Sequence, residues 1–157
     1  MDFLFFLRSY FRYRLRAKDE YSLHSPFMFD FFVKGLKKPC RAKDICFDSK
    51  LEAIVPQSRS KRKFLFKAFQ YFNSQAIEVV YIRNEDFSLD CVERFSSYSS
   101  NTAIVIEGIY KNKAKNDLWK SLLVNGDMKL CCDFFSFGIV FLTDKPLKKQ
   151  NYILCKK

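Results

Sequence analysis

The chain has 157 residues, enough for a single domain that buries roughly two-thirds of the surface its unfolded form exposes. Apolar residues make up 48% of it and include 19 phenylalanines, which excludes intrinsic disorder and points to an aromatic-rich core. The net charge of +11 is uneven, with 15 basic and 7 acidic residues in positions 1–63 against 13 and 10 thereafter, so the field that attracts acidic partners such as nucleic acid or anionic lipid comes from the first part.

The apolar run Phe3–Leu7 is too short to span a membrane. Asp2, the lack of a basic leader and the lack of a small-residue cleavage site speak against a secretory signal, so the expected location is the cytoplasm. From Phe3 to Lys18 the spacing is helical, with Leu4, Leu7, Phe11 and Leu15 in one stripe and Arg8, Arg12 and Arg16 in another. Such a helix either faces a membrane surface or RNA, or docks with its apolar stripe buried by the domain, and the arginines alone do not choose.

His24-Ser25-Pro26-Phe27 is the best local signal. Ser25 suits an N-cap, Pro26 the first helical position, and Gly35 a left-handed terminus of the short helix that runs on through Met28-Phe29-Asp30-Phe31-Phe32-Val33. His24, just before the cap, can bond a neighbouring carbonyl or carboxylate, or serve as a catalytic group. Lys37–Lys43, with Pro39, reads as a basic loop. Asp48 or Ser49 caps a short helix to Val55, stopped by Pro56. Ser58–Lys63 then opens a helix whose apolar face is Phe64, Leu65, Ala68, Phe69 and Phe72, with Asn73 as C-cap. Arg59, Lys61, Arg62 and Lys63 oppose the dipole at its start, so they mark either an acidic partner or a solvated face.

From residue 77 the period changes. Ile77–Ile82 is an expected strand, Phe87–Ser97 a helix and Thr102–Glu107 a strand; Asn112–Val124 is a helix with Ala114, Leu118 and Leu122 inward. Met128–Phe135 and Ile139–Thr143 are strands joined through Ser136-Phe137-Gly138, and Tyr152–Cys155 is a last strand. Alternating strands and helices imply a sheet of four or five strands, mostly parallel and ending in an antiparallel hairpin, preceded by helices over 1–73, all within one domain. The six cysteines lack C-x-x-C spacing and lie far in sequence from His24, the chain's single histidine, so reduced thiols are expected rather than zinc or disulfides.

Tyr13–Phe32 with its H-S-P-F, and Glu78–Leu142, together resemble the two ends of a family of small bacterial class I S-adenosylmethionine-dependent methyltransferases. The resemblance implies a Rossmann-like fold in which the helix Phe64–Phe72 leads into a glycine-containing cofactor strand. Here the chain passes instead almost directly to Val79-Val80-Tyr81-Ile82-Arg83, which looks like the family's fourth strand, and it has no glycine between Gly35 and Gly108. Only glycines leave room for backbone to approach the cofactor at the first strand-to-helix turn, so the cofactor-binding half looks excised and no cofactor is expected, S-adenosylmethionine entering only if the resemblance extends to function. Where the family tends to carry aspartate and glycine, this chain has Arg83-Asn84; where paired aspartates follow the fifth strand, it has Glu107-Gly108.

Arg83 stays protonated and cannot act as a base, and Glu107 alone, even with Glu85-Asp86 nearby, does not make a metal site. Glu107 and His24 are the catalytic candidates. Arg83 and Lys111 either bind an anion at the strand ends, or Arg83 and Glu107 offset each other. The leading expectation is a non-catalytic, truncated methyltransferase-like module for binding or assembly, pairing with a second copy or an intact relative. The alternatives are a nucleic-acid-binding module using Arg8, Arg12, Arg14, Arg16, Lys37, Lys38, Arg41, Lys43, Arg59, Lys61, Arg62 and Lys63, and a methyltransferase whose site is unusual or completed by a partner.

Overall fold

The computed structural model describes residues 3–19, 22–144 and 148–155. The chain divides into two compact units, one formed by Met1–Asp19 with Glu78–Lys157 and the other by Glu20–Ile77. The first helix therefore belongs with the strands of the second half, not with the helices that follow it.

In the unit Glu20–Ile77, Ser25 starts α2 (Pro26–Asp30) by accepting the Met28 N–H at 3.4 Å, with Pro26 in the first turn. The helix widens into a π turn over Phe31–Leu36. Asp48 caps α3 (Ser49–Ile54), accepting the N–H groups of Lys50 and Leu51 at 3.0 and 2.9 Å. In α4 (Arg59–Ser74) Phe64, Leu65, Ala68 and Phe72 are buried, as their spacing requires, together with Lys67 and Tyr71. Phe31 stacks on Phe72 with centroids 4.9 Å apart.

Two expected helix ends differ. Gly35 takes no left-handed conformation; it lies within the π turn, where a Cβ would stand 3.1 Å from Tyr71 Cβ, so it serves the close approach of α4. At the end of α4 the C-cap is Gln75 rather than Asn73, and Ala76 takes the left-handed position with φ 53°.

The other unit joins α1 (Phe3–Arg16) to a five-stranded sheet. Its strands are β1 (Glu78–Ile82), β2 (Thr102–Glu107), β3 (Leu130–Asp133), β4 (Phe137–Leu142) and β5 (Gln150–Ile153), in the spatial order β1-β2-β4-β3-β5. The expectation of a mostly parallel sheet is corrected to a mixed one: β1 with β2 and β3 with β5 are parallel, whereas β4 inserts antiparallel between β2 and β3. The parallel pair β1-β2 needs a crossover, supplied by α5 (Leu89–Glu93) and a 3-10 turn over Arg94–Ser97.

Ser88 caps α5 through the Cys91 N–H, and Asn112 caps α6 (Lys113–Val124) through the Lys115 N–H at 2.9 Å. On α6 the inward residues are Asn116, Trp119 and Leu122, with Leu118 half-buried. Ala114, expected inward, is exposed, because the register that buries Trp119 turns it to solvent. The link from β3 to β4 is Phe134–Ser136, so Phe137 and Gly138 are strand residues and not turn.

One face of the sheet builds a core of Ile104, Ile106, Cys131 and Val140 with Phe87, Phe95, Trp119 and Leu122. On the alternate positions Ala103, Val105, Cys132 and Ile139 are fully buried too, so both faces are covered, which explains the long apolar runs. The six cysteines are all free, and burial pushes the Cys131 thiol up to about 12, which makes it an inert core group. At the β5 edge, Lys18 pairs with Leu154, donating its N–H to the Ile153 carbonyl at 2.8 Å. β1, at the opposite edge, has a strand neighbour on one side only among the described residues.

Candidate functional site

Open α/β sheets bind ligands beyond the carboxyl ends of their parallel strands. In this sheet the corresponding end brings together Arg83 and Asn84 after β1, Glu107 and Gly108 after β2, and Asp133 at the end of β3. A tight turn folds the Arg83 guanidinium onto its own loop, where Nε bonds Asp86 Oδ2 at 2.8 Å and another nitrogen lies 2.9 Å from Glu85 Oε1. Both carboxylates raise the Arg83 pKa further, so Arg83 stays a cation balanced by its neighbours.

Glu107 is the last residue of β2. It accepts the Tyr81 hydroxyl at 3.0 Å, and burial together with this carboxylate pushes the tyrosine pKa up. Register explains the pairing: Tyr81 lies opposite Val105, so Glu107, two residues on, shares its face. Gly108 has φ 72°, and a Cβ there would come within 3.1 Å of Asn84 Cβ. Asn84 is only 8% exposed, and its Nδ2 has no hydrogen-bond partner among the described residues. Lys111 is exposed on the following turn, its N–H bonded to the Gly108 carbonyl at 2.8 Å.

The buried carboxylate at this end was not among the expected site residues. Asp133, 2% exposed, accepts Tyr110 Oη at 2.6 Å and Trp119 Nε1 at 3.3 Å on Oδ2, and the Phe135 N–H at 2.8 Å on Oδ1. Burial raises its pKa, against the lowering effect of these bonds. A lone aspartate in the run Leu130–Phe135 was the signal available. Phe135 takes φ 64°, an unfavourable conformation for a bulky residue. Its ring stacks on Tyr110 at 4.8 Å and meets Phe6 and Tyr10 of α1 at 5.1 and 5.2 Å, while Tyr13 donates its hydroxyl to the Leu154 carbonyl. Aromatic rings therefore fill this part of the strand ends.

The remaining expected residues are dispersed. Arg8, Arg12 and Arg16 are exposed on α1. In the unit Glu20–Ile77, Arg59 is exposed and Lys61 and Lys63 are half-buried on α4. Arg62 Nη2 donates to both Glu52 oxygens at 2.8 Å, and the guanidinium lies over the Phe47 ring at 5.2 Å, so it ties α4 to α3. His24 is exposed ahead of α2. The same unit contains a cleft of about 520 Å³ lined by Lys34, Lys38, Lys67 and Tyr71 among others. Lys67 donates to the Leu36 carbonyl at 2.9 Å, and Tyr71 to Asp30 at 2.9 Å. Burial, with help from Lys63, lowers the Lys67 pKa.

Among the described residues no group of three His, Cys, Asp or Glu side chains could hold a metal ion, and no helix is long and apolar enough to cross a membrane. No protein-family model matches the chain, and no curated protein or solved structure is significantly similar to it.

Proposed function

We propose that the chain is a methyltransferase-like module, Rossmann-like in its strand-and-helix half, that binds or assembles and does not transfer methyl groups. The observation that carries this reading is the state of the strand ends. Arg83 is held by Glu85 and Asp86, Glu107 accepts from Tyr81, and Asp133 is occupied by three donors. Phe135 and Tyr110 fill adjoining space, and the sequence between Gly35 and Gly108 offers no glycine to admit a cofactor. Methyl transfer needs the sulfonium and acceptor held in line, and for weak oxygen nucleophiles a base or metal beside them. These side chains are engaged in structure instead.

The assembly part of the proposal is supported by β1, whose position at the edge suits pairing with a second copy of this chain. Size-exclusion chromatography with light scattering tests it. A dimer whose population grows with concentration is expected, and a strict monomer throughout overturns the assembly reading.

A further inference from the structure

Helix α1 is apolar on two sides. At about 100° per residue, Leu4, Leu7, Phe11 and Leu15 fall within about 80° of arc, and the face bearing Phe6, Ser9 and Tyr13 is centred about 170° away. The second face is the one that packs: Ser9 and Tyr13 are buried, and Phe6 meets Phe135 at 5.1 Å. The first faces solvent, with Leu4 77%, Phe11 60% and Leu15 86% exposed. Six of the nine exposed large apolar side chains among the described residues, Phe3, Leu4, Leu7, Tyr10, Phe11 and Leu15, lie on this one helix. That concentration is a patch and not scatter.

Arg8, Arg12 and Arg16 form the adjacent row along the stripe, exposed and without an ion pair among the described residues. The helix contains no acidic residue. We infer that this outer face of α1 is a docking surface for an anionic lipid bilayer, with the apolar stripe seated at the headgroup boundary and the arginines among lipid phosphates and carboxylates. The inference does not rest on the methyltransferase-like reading.

Charge complementarity selects this occupant. A second copy seated stripe to stripe would set arginine rows beside arginine rows with no carboxylate on either helix to separate them. Nucleic acid would satisfy the arginines but leave Leu4, Leu7 and Leu15 in water, since aliphatic side chains offer bases no stacking surface. A bilayer interface takes both features at once: apolar side chains enter the acyl boundary while cations remain at headgroup level.

Flotation of the full chain with vesicles tests the inference. Partition into phosphatidylcholine vesicles containing phosphatidylserine is expected, with much less into phosphatidylcholine alone. The exposed-face variant Phe11→Ser/Leu15→Ser should weaken partition by roughly tenfold or more. Arg8→Ala/Arg12→Ala/Arg16→Ala should weaken it by roughly fivefold per arginine. Both variants should keep the wild-type thermal unfolding, because the altered side chains are exposed. Absence of flotation by the folded wild type overturns the inference, as does flotation of both variants to the same extent as the wild type. A dimer that dissociates on Phe11→Ser/Leu15→Ser without lipid would assign the stripe to a second copy. Salt-sensitive RNA binding with no flotation would assign the arginines to nucleic acid. Either result overturns the lipid assignment.

Discussion

Asp133 is where burial and hydrogen bonding compete most directly. Its removal in Asp133→Ala leaves the Tyr110 hydroxyl, the Trp119 N–H and the Phe135 N–H without their acceptor, and a loss of about 3 kcal/mol in urea unfolding is expected. Burial holds its pKa above the ordinary carboxylate value, so the native state keeps this proton more tightly than the unfolded chain. Its contribution is therefore fully present below the unfolded pKa and is lost as pH rises through the raised one. The stability of the wild type relative to uncharged Asp133→Asn should fall across that window and then level off; a difference that stays flat with pH contradicts the assignment. Phe135 offers a second test. With φ 64°, Phe135→Ala keeps the backbone strain and loses the ring contacts, whereas Phe135→Gly loses the same contacts and removes the strain. Glycine should be the more stable of the two by about 1 kcal/mol, the reverse of the usual strand order.

At the scale of elements, α6 is held by a local cap and by one large contact. Asn112→Ala should cost about 1 kcal/mol, with Asn112→Asp recovering most of it, as read from the urea midpoint. At Gly138 of β4 a Cβ would come within 2.7 Å of Trp119 Cη2 and Cζ3, both in a fully buried ring. Gly138→Ala should therefore destabilise by about 1–3 kcal/mol and shift the emission of Trp119, the chain's only tryptophan. Unchanged emission with unchanged stability would place the ring elsewhere. Most elements were legible because their signals are local. Ser25 and Asp48 cap the helices that follow them, as expected, and Thr102–Glu107 is a strand over its whole expected range. The misreadings concern tertiary contact. The role of Gly35 depends on Tyr71 thirty-six positions later, and the inward face of α6 on where Trp119 meets β4. Neither appears in a window of one helix. The outward stripe of α1 was legible as a pattern, but which of its two apolar faces packs could be read only once Phe135 was placed.

Across the whole molecule, strand order was the least legible property. The antiparallel hairpin of Met128–Phe135 with Ile139–Thr143 was expected from their short link and is formed by β3 and β4, but no local pattern shows that β4 also pairs antiparallel with β2 and so places β3 one strand further out. The site was legible only at Arg83 and Glu107, whose positions after the strands were anticipated. Their partners were not, since Glu85 and Asp86 looked like spare oxygens and Tyr81 like a strand filler. The positive field is likewise divided by these contacts: Arg62 and Arg83 are neutralised locally, whereas Arg8, Arg12 and Arg16 remain available at the surface of α1. In the proposed module the strand ends do not serve cofactor chemistry. Isothermal titration of the full chain with S-adenosylmethionine and with its demethylated product, carried into the millimolar range, tests this most directly. No saturable heat is expected for either ligand; saturable one-site binding would overturn the proposed loss of cofactor chemistry and make Glu107 and His24 the first residues to replace.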